Sequence, residues 1–176
     1  KMEDILDEAA RLAGRGVKEL IVTAQDTTLY GKDIYSRLAL PDLLAGLEGI
    51  EGLVWIRVLY AYPTYFTGKL IETMSSGSKI CRYIDLPLQH ASNTVLRRMN
   101  RKGSREDYLR LLGKLRRSIP GITLRTTFIV GFPGETEGEF QELLDFMSLV
   151  KFERAGVFIY SREESTAAAD MAGQVP

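Results

Sequence analysis

Two patterns of apolar residues alternate along the chain: short continuous runs and longer stretches with helical spacing. The runs are rich in β-branched and aromatic residues and predict strands at 19–23, 53–60, 83–86, 122–130 and 156–160. The stretches with helical spacing predict helices at 3–14, 43–47, 68–74, 92–99, 104–119 and 136–150. This alternation predicts an α/β domain with a parallel sheet covered by helices. A doubly wound open sheet and a barrel both fit the pattern, and periodicity does not choose between them.

A polar or glycine-rich segment follows each predicted strand, at 25–28, 60–64, 87–92, 131–136 and 161–164. Ligands of parallel α/β folds bind at the carboxyl ends of the strands, so these segments together predict a site there. Segment 131–136 (Gly-Phe-Pro-Gly-Glu-Thr) leads into a helix with a capping box, Thr136 with Glu139. It suits a ligand that approaches the backbone closely, and equally a tight turn. It is not a P-loop, because Gly-Lys-Ser/Thr is missing.

The charge balance argues against a chain-wide polycation. The 176 residues carry 23 Lys and Arg and 23 Asp and Glu, so the net charge is zero. A local basic patch remains, because basic residues dominate 97–117 while the next helix is acidic. Two interpretations stay open: contact with RNA or an RNA–protein particle, and two solvated helix faces that attract each other.

Cysteine and histidine each occur once, as Cys81 and His90. One cysteine excludes an internal disulfide and a cysteine-only metal site, and favours a reducing, cytoplasmic location. Cys81 is predicted to be a small buried side chain. His90 is either a buried structural residue or part of the site. No apolar run approaches the length of a membrane span, so no membrane is expected as a partner.

Three phrases of the sequence resemble the radical S-adenosylmethionine methylthiotransferases: 83–92 (YIDLPLQHAS), 95–101 (VLRRMNR) and 125–136 (RTTFIVGFPGET). Segments 24–31 (AQDTTLYG), 60–63 (YAYP) and 161–164 (SREE) resemble the branch that modifies an aspartate of a small-subunit ribosomal protein. The resemblance covers nearly the whole chain. It implies an α/β fold of the radical SAM type: an incomplete (β/α) TIM-like barrel of parallel strands with outer helices.

The resemblance also implies cofactors and partners. The family uses S-adenosylmethionine and, in its full-length members, two [4Fe–4S] clusters. One electron from an electron donor splits the sulfonium, and the resulting 5′-deoxyadenosyl radical abstracts hydrogen from the substrate carbon. The implied substrate carbon is the β-carbon of an aspartate in a small-subunit ribosomal protein, free or as part of the ribosome.

The main departure of the sequence from the family is that it has no CxxxCxxC motif for the cluster; Ser165 and Ala167 also stand where the family more often has glycine and proline. We therefore expect a central fragment, with a partial barrel at 1–160 and an exit segment at 161–176 leading toward a C-terminal β domain. We expect this fragment to hold no metal, to contain no catalytic residue and to be inactive alone. A tRNA-adenosine methylthiotransferase of the same family, a non-catalytic ribosome-docking module and another nucleotide-binding enzyme stay open as alternatives.

The family's ligand contacts carry over to the strand ends. Gln25 and Asp26 are expected at the methionine amine, Gln89 and Ser92 at the ribose hydroxyls, and Arg125 at the methionine carboxylate if it points inward. These roles depend on register, since a shift of one residue would turn the side chains outward. The adenine is expected beside Gly131, Gly134, Glu135, Phe158 and Tyr160, and the substrate beside Tyr62 and His90.

Overall fold

The computed structural model describes residues 1–175 and contains parallel strands alternating with helices. The strands are β1 (Glu19–Val22), β2 (Trp55–Val58), β3 (Tyr83–Asp85), β4 (Thr123–Val130) and β5 (Arg154–Ile159). The helices are α1 (Met2–Gly14), α2 (Leu40–Glu48), α3 (Gly68–Ser76), α4 (Asn93–Arg98), α5 (Arg105–Ser118) and α6 (Glu137–Val150). Every predicted strand and helix is confirmed, with its ends shifted by a few residues. Three short 3-10 turns, Thr27–Leu29, Pro63–Tyr65 and Ala167–Asp170, were not predicted.

The strands lie side by side in the order of the chain. β1 pairs with β2, and β3, β4 and β5 form a second ladder, all parallel. A bridge between Ile56 and Ile80, and an Ala61 N–H that donates to the Asp85 carbonyl at 3.0 Å, join the two ladders. A doubly wound sheet reverses its strand order at a switch point, whereas this order has no reversal. The strand order therefore supports part of a barrel over an open sheet.

The hydrophobic core lies between the strands and the helices. Side chains such as Ile56, Ile84, Leu124 and Phe128 are fully buried and belong to one cluster with the inner faces of the helices. Phe128 packs edge-on against Phe146 of α6, with ring centroids 6.5 Å apart. The apolar stripe of each helix is used in this layer, which leaves the opposite face of the strands free.

That opposite face contains ion pairs. Arg57 Nε of β2 donates to Glu19 Oε1 of β1 at 2.8 Å, and its guanidinium lies 4.9 Å from the ring centroid of Tyr83. Farther along, Arg125 Nη1 of β4 donates to Asp85 Oδ2 of β3 at 3.1 Å. A face lined with ion pairs is not a packed core, so the inside of the partial barrel is available for a ligand.

Both outermost strands expose apolar side chains. Within residues 1–175, β1 pairs only with β2 and β5 only with β4. Ile21 of β1 is 55% exposed and Ile159 of β5 is 83% exposed. After β5 the chain turns back, and the Gly134 N–H donates to the Gly173 carbonyl at 2.7 Å. The exit segment therefore contacts the loop after β4, and its predicted continuation to a further domain stays a prediction.

Candidate functional site

A cavity of about 420 Å³ opens at the carboxyl ends of the strands, and we call it the central cavity. Five of the residues that the sequence predicted for the site meet here: Gln25, Tyr62, Gln89, Arg125 and Phe158. They come from segments that follow β1, β2 and β3 and from β4 and β5 themselves. The parallel order brings these distant parts of the chain together, as the strand-end argument predicted. Four other residues of the lining are discussed below: Tyr60, Asp85, Arg101 and Thr127.

Gln89 is held in a strained conformation at the edge of this cavity. Its φ is +71°, in the left-handed region that non-glycine residues rarely adopt. The backbone is fixed on both sides, because its N–H donates to the Thr127 carbonyl at 2.9 Å and its carbonyl accepts from Ile129 N–H at 2.8 Å. The side-chain Oε1 is buried and has no hydrogen-bond partner among the described residues. A strained backbone at a residue that lines a cavity is typical of ligand-binding positions.

Asp85 and Arg125 form an ion pair across the floor of the cavity. Asp85 is 1% exposed, and its Oδ2 accepts from Arg125 Nη1 at 3.1 Å. The second oxygen, Oδ1, is buried without a partner among the described residues. Arg125 points inward, as its predicted role requires, but its charge is already matched by Asp85. Asp85 lines the cavity, so its carboxylate is a candidate partner for an amine or hydroxyl of a ligand.

Arg101 is a cavity residue that the sequence did not single out. Its guanidinium lies 4.7 Å from the Tyr62 ring centroid, and Nη2 donates to the Pro87 carbonyl at 2.6 Å. Its Nε is buried and has no partner within residues 1–175. A stacked guanidinium that lines a cavity suits a carboxylate. The sequence signal was present in the phrase 95–101, but nothing in it distinguishes this arginine from its basic neighbours.

Asp26 lies beside the central cavity rather than in it. It lines a wider cavity of about 990 Å³, the outer vestibule, which shares Gln25, Tyr62 and Arg101 with the central cavity. Its Oδ1 accepts from the Thr28 N–H at 2.9 Å, so the carboxylate caps the Thr27–Leu29 turn. Asp26 therefore already supports the loop after β1, and its predicted contact with the amine would use the remaining oxygen.

The structure places His90, Ser92 and Glu135 outside the lining of the central cavity, and their predicted ligand contacts stay predictions. His90 is fully buried, and its Nδ1 accepts from the Ser92 N–H at 2.9 Å while Nε2 lies 3.2 Å from Glu135 Oε1. Glu135 Oε2 accepts from the Phe132 N–H at 3.0 Å. Burial lowers the pKa of His90, and Glu135 opposes that effect. These side chains join the loops after β3 and β4 and do not line the central cavity, so His90 offers no free atom to a substrate.

The predicted adenine-side residues also lie outside the central cavity, with the exception of Phe158. Gly131 has a φ of +73° and Gly134 a φ of +75°, so the loop needs glycine at both positions. Gly131 and Glu135 line a separate shallow pocket of about 230 Å³ beside Val175. Tyr160 packs edge-on against Phe132, with ring centroids 5.4 Å apart. Their role at the adenine stays a prediction.

A metal cluster and S-adenosylmethionine fit the described residues differently. Residues 1–175 contain no group of three His, Cys, Asp or Glu side chains that could hold a metal ion. Cys81 is partly exposed, which corrects its predicted burial, and desolvation raises the pKa of its thiol. The central cavity instead has the volume of a small-molecule site, and its lining includes the polar side chains of Gln25, Asp85, Gln89 and Arg101. It therefore fits S-adenosylmethionine, and the described residues do not fit a cluster.

Residues 1–147 match the family model of the Radical SAM superfamily, and the chain belongs to that superfamily. Its relatives include the ribosomal protein uS12 methylthiotransferase RimO of Pelotomaculum thermopropionicum, 65% identical over 176 residues. The match covers 100% of this chain and 40% of that protein. The RimO protein of Clostridium botulinum strain Hall is 54% identical over 175 residues, covering 99% of this chain and 39% of that protein. The chain thus spans about two fifths of the length of these curated relatives, and the predicted family resemblance is confirmed.

Solved structures confirm the predicted fold. Coproporphyrinogen III oxidase (HemN) from Escherichia coli, a radical SAM enzyme, superposes with a TM-score of 0.73 at 22% identity, covering 99% of this chain and 40% of that chain. The radical S-adenosylmethionine methyltransferase TsrM from Kitasatospora setae gives a TM-score of 0.72 at 19% identity, covering 93% of this chain and 31% of that chain. At these identities the similarity concerns the fold alone. In the part of the chain that is described, no helix is both long and apolar enough to cross a membrane.

Proposed function

We propose that the chain is the central barrel segment of a radical S-adenosylmethionine methylthiotransferase that modifies the β-carbon of an aspartate in ribosomal protein uS12. One observation carries the proposal. The strand ends converge on a cavity lined by Gln25, Asp85, Gln89 and Arg101, in a chain that is 65% identical along its whole length to a RimO protein.

The polar side chains of the cavity match the functional groups of S-adenosylmethionine. The Arg101 guanidinium would bind the methionine carboxylate, and stacking on Tyr62 holds the guanidinium in place before the ligand arrives. Asp85 and Gln25 would bind the methionine amine. The Gln89 amide would hydrogen-bond to a ribose hydroxyl. Bound S-adenosylmethionine supplies the sulfonium whose reductive cleavage generates the radical, chemistry that belongs to the cofactor.

The outer vestibule is the entry for the target aspartate. It is more open than the central cavity and meets it at Gln25, Tyr62 and Arg101, so a side chain from a protein loop can reach the cofactor there. The partners in this proposal are uS12, free or within the small subunit, and an electron donor, all in the cytoplasm. Residues 1–175 cannot supply three cluster ligands, so residues 1–176 alone are proposed to be inactive.

The test uses the full-length protein with its clusters reconstituted. Equilibrium binding of S-adenosylmethionine and mass-spectrometric detection of methylthiolated uS12 are measured for Gln89→Ala and Arg101→Ala. Each variant removes one hydrogen bond to the ligand, so we expect affinity to fall about tenfold for Gln89→Ala and more for the charged contact of Arg101→Ala. Matched controls are Gln141→Ala and Arg97→Ala, which remove the same side chains from exposed helix positions.

Two results would count against the proposal. Wild-type affinity for S-adenosylmethionine in both cavity variants would show that the cofactor does not bind here. A methylthio group found on tRNA adenosine and not on uS12 would keep the cofactor site but replace the target.

A further inference from the structure

The central cavity has an excess of positive charge. Among the described residues that line it, Arg101 and Arg125 are cationic and Asp85 is the single carboxylate. S-adenosylmethionine has a sulfonium and an ammonium against one carboxylate, so it would add a further positive charge. An excess of one sign of charge in a partly enclosed site is unfavourable. The cavity with its cofactor therefore favours a second ligand that carries an anionic group.

Arg125 has hydrogen-bond donors left for such a group. Its Nη1 donates to Asp85 Oδ2 at 3.1 Å, which is the one hydrogen bond of this side chain within residues 1–175. The Arg125 side chain is 43% exposed, whereas that of Asp85 is buried. A guanidinium presents five N–H donors in one plane, so it can bind a second carboxylate without releasing the first. The exposed part of Arg125 is therefore available to an anionic ligand in the cavity.

A third arginine lies next to Arg125. Arg154 of β5 is the register partner of Arg125 in β4. Register partners of a parallel pair project from the same face of the sheet, so Arg154 belongs to the inner face of the partial barrel. In the described part of the chain Arg154 forms no ion pair. Two like charges side by side on neighbouring strands are unfavourable, which again favours an anion at this point.

Tyr60 adds an accessible hydroxyl to the same cavity. Its φ is +54°, in the left-handed region that bulky residues avoid. The backbone is fixed there, because the Tyr60 carbonyl accepts from the Thr27 N–H at 3.1 Å and from Thr27 Oγ1 at 3.2 Å. The residue is 47% exposed and lines the central cavity, and its hydroxyl forms no hydrogen bond within residues 1–175. An accessible donor held at a strained position suits a ligand contact.

We propose that Arg125 and Tyr60 bind the side-chain carboxylate of the target aspartate, with Arg154 adding to the positive potential. The inference rests on the proposed function, in which the reacting β-carbon is bonded to the carbon of this carboxylate. Holding the carboxylate therefore also positions the β-carbon. These residues would select aspartate over asparagine, whose amide is neutral and presents an N–H₂ to the donors of the site, and over a neutral nucleobase.

The test compares the binding of two labelled uS12 peptides, one with the target aspartate and one with asparagine in its place. Full-length protein with reconstituted clusters is used with saturating S-adenosylmethionine and no reductant, so the peptides stay unmodified, and affinity is measured by fluorescence anisotropy. We expect the wild type to prefer the aspartate peptide by about tenfold, as for charge-assisted hydrogen bonds. Arg125→Gln should abolish this preference, and Tyr60→Phe should reduce it a few-fold.

Arg57→Gln is the matched control. Arg57 also lies on the inner face and is paired with a carboxylate, that of Glu19, but it does not line the central cavity. This variant removes the same charge from the same face and leaves a carboxylate unpaired in the same way, so it should keep the wild-type preference. Tyr60→Phe removes one oxygen atom and leaves the pair of Arg125 and Asp85 intact, so it decides the question if Arg125→Gln does not fold.

Several results would overturn the inference. They are equal affinity of the wild type for the two peptides, an unchanged preference in both cavity variants, and an equal loss of preference in Arg57→Gln. Weaker S-adenosylmethionine binding by Arg125→Gln, with the peptide preference intact, would assign Arg125 to the methionine carboxylate instead. The proposed function fails on a different result, namely a wild type that does not bind S-adenosylmethionine or does not methylthiolate uS12.

Discussion

At the scale of single residues, the direction in which a side chain points decides its role more than its position in the sequence does. Gln89 and His90 are neighbours in one polar segment, and the sequence placed both at the site. The structure turns Gln89 into the central cavity and His90 into the protein, where Glu135 and the Ser92 N–H occupy its ring nitrogens. The segment could be predicted as part of the site because it follows a strand. Which of its side chains faces the ligand could not be predicted, because that depends on the left-handed φ of Gln89.

The buried His90 predicts a pH dependence of stability. Its pKa is lowered in the folded protein by burial, so the unfolded chain takes up a proton near its ordinary pKa before the folded chain does. The stability that the fold has with a neutral His90 is therefore fully present above about pH 6.5. It is lost as the pH falls from there toward the lower pKa of the folded protein. Between about pH 7.5 and pH 5.5 the free energy of unfolding should therefore fall through this residue.

The contribution of His90 is isolated by comparison with His90→Gln, which has no titrating ring but can still bond to Glu135. Urea unfolding followed by circular dichroism at both pH values should show a smaller loss of stability in the variant than in the wild type. Equal losses in the two proteins would mean that His90 does not take up its proton on unfolding in this range.

At the scale of elements, regular structure was predictable and the turns were not. The capping box of α6 was visible in the sequence, and the structure confirms it, with the Glu139 N–H donating to Thr136 Oγ1. β2 ends before the predicted residue 60, where Tyr60 leaves the ladder with a φ of +54°. The Thr27–Leu29 turn has no periodic pattern, since it depends on Asp26 and on a Thr27 Oγ1 bond to the Leu59 carbonyl. Distant contacts of this kind are not readable from local sequence.

The contact between the exit segment and the loop after β4 can be tested at Gly173. This residue has a φ of +75°, and a Cβ there would lie 3.2 Å from the Gly134 Cα. Gly173→Ala should therefore break the bond from the Gly134 N–H and speed hydrogen exchange at that amide by about tenfold or more.

Gly121→Ala is the matched control for this prediction. Gly121 has a nearly identical φ of +76° but nothing within 4 Å of its Cβ position, so it shares the backbone strain without the close contact. Unchanged exchange at Gly134 in Gly173→Ala, measured by hydrogen-exchange mass spectrometry, would show that the exit segment is not held at this loop.

At the scale of the whole molecule, strand order decides what periodicity left open. The same alternation of strands and helices occurs in open sheets and in barrels, because both bury one face of each helix against a parallel sheet. The structure separates them by the unreversed order of β1 to β5 and by a polar inner face that includes Glu19, Arg57 and Asp85. The strand order is a product of long-range pairing, so only the family resemblance, and not the pattern, could predict the barrel.

The unpaired edges of this partial barrel predict how residues 1–176 behave alone. β1 and β5 each have a free edge within the described residues, and Ile159 is 83% exposed on β5. Exposed apolar edge strands pair with other chains, so the isolated chain should self-associate as its concentration rises. Ile159→Lys places a charge at the β5 edge and should shift the mass measured by size-exclusion chromatography with light scattering toward that of a monomer.

Ile34→Lys separates this edge effect from a general gain in charge. Ile34 is 48% exposed but lies in the loop after β1, outside any strand, so the same substitution there leaves the β5 edge unprotected. We expect Ile34→Lys to associate as strongly as the wild type. If both variants are equally monomeric, net charge and not strand pairing governs association. If the wild type is itself monomeric over a wide concentration range, the β5 edge does not pair with a second copy.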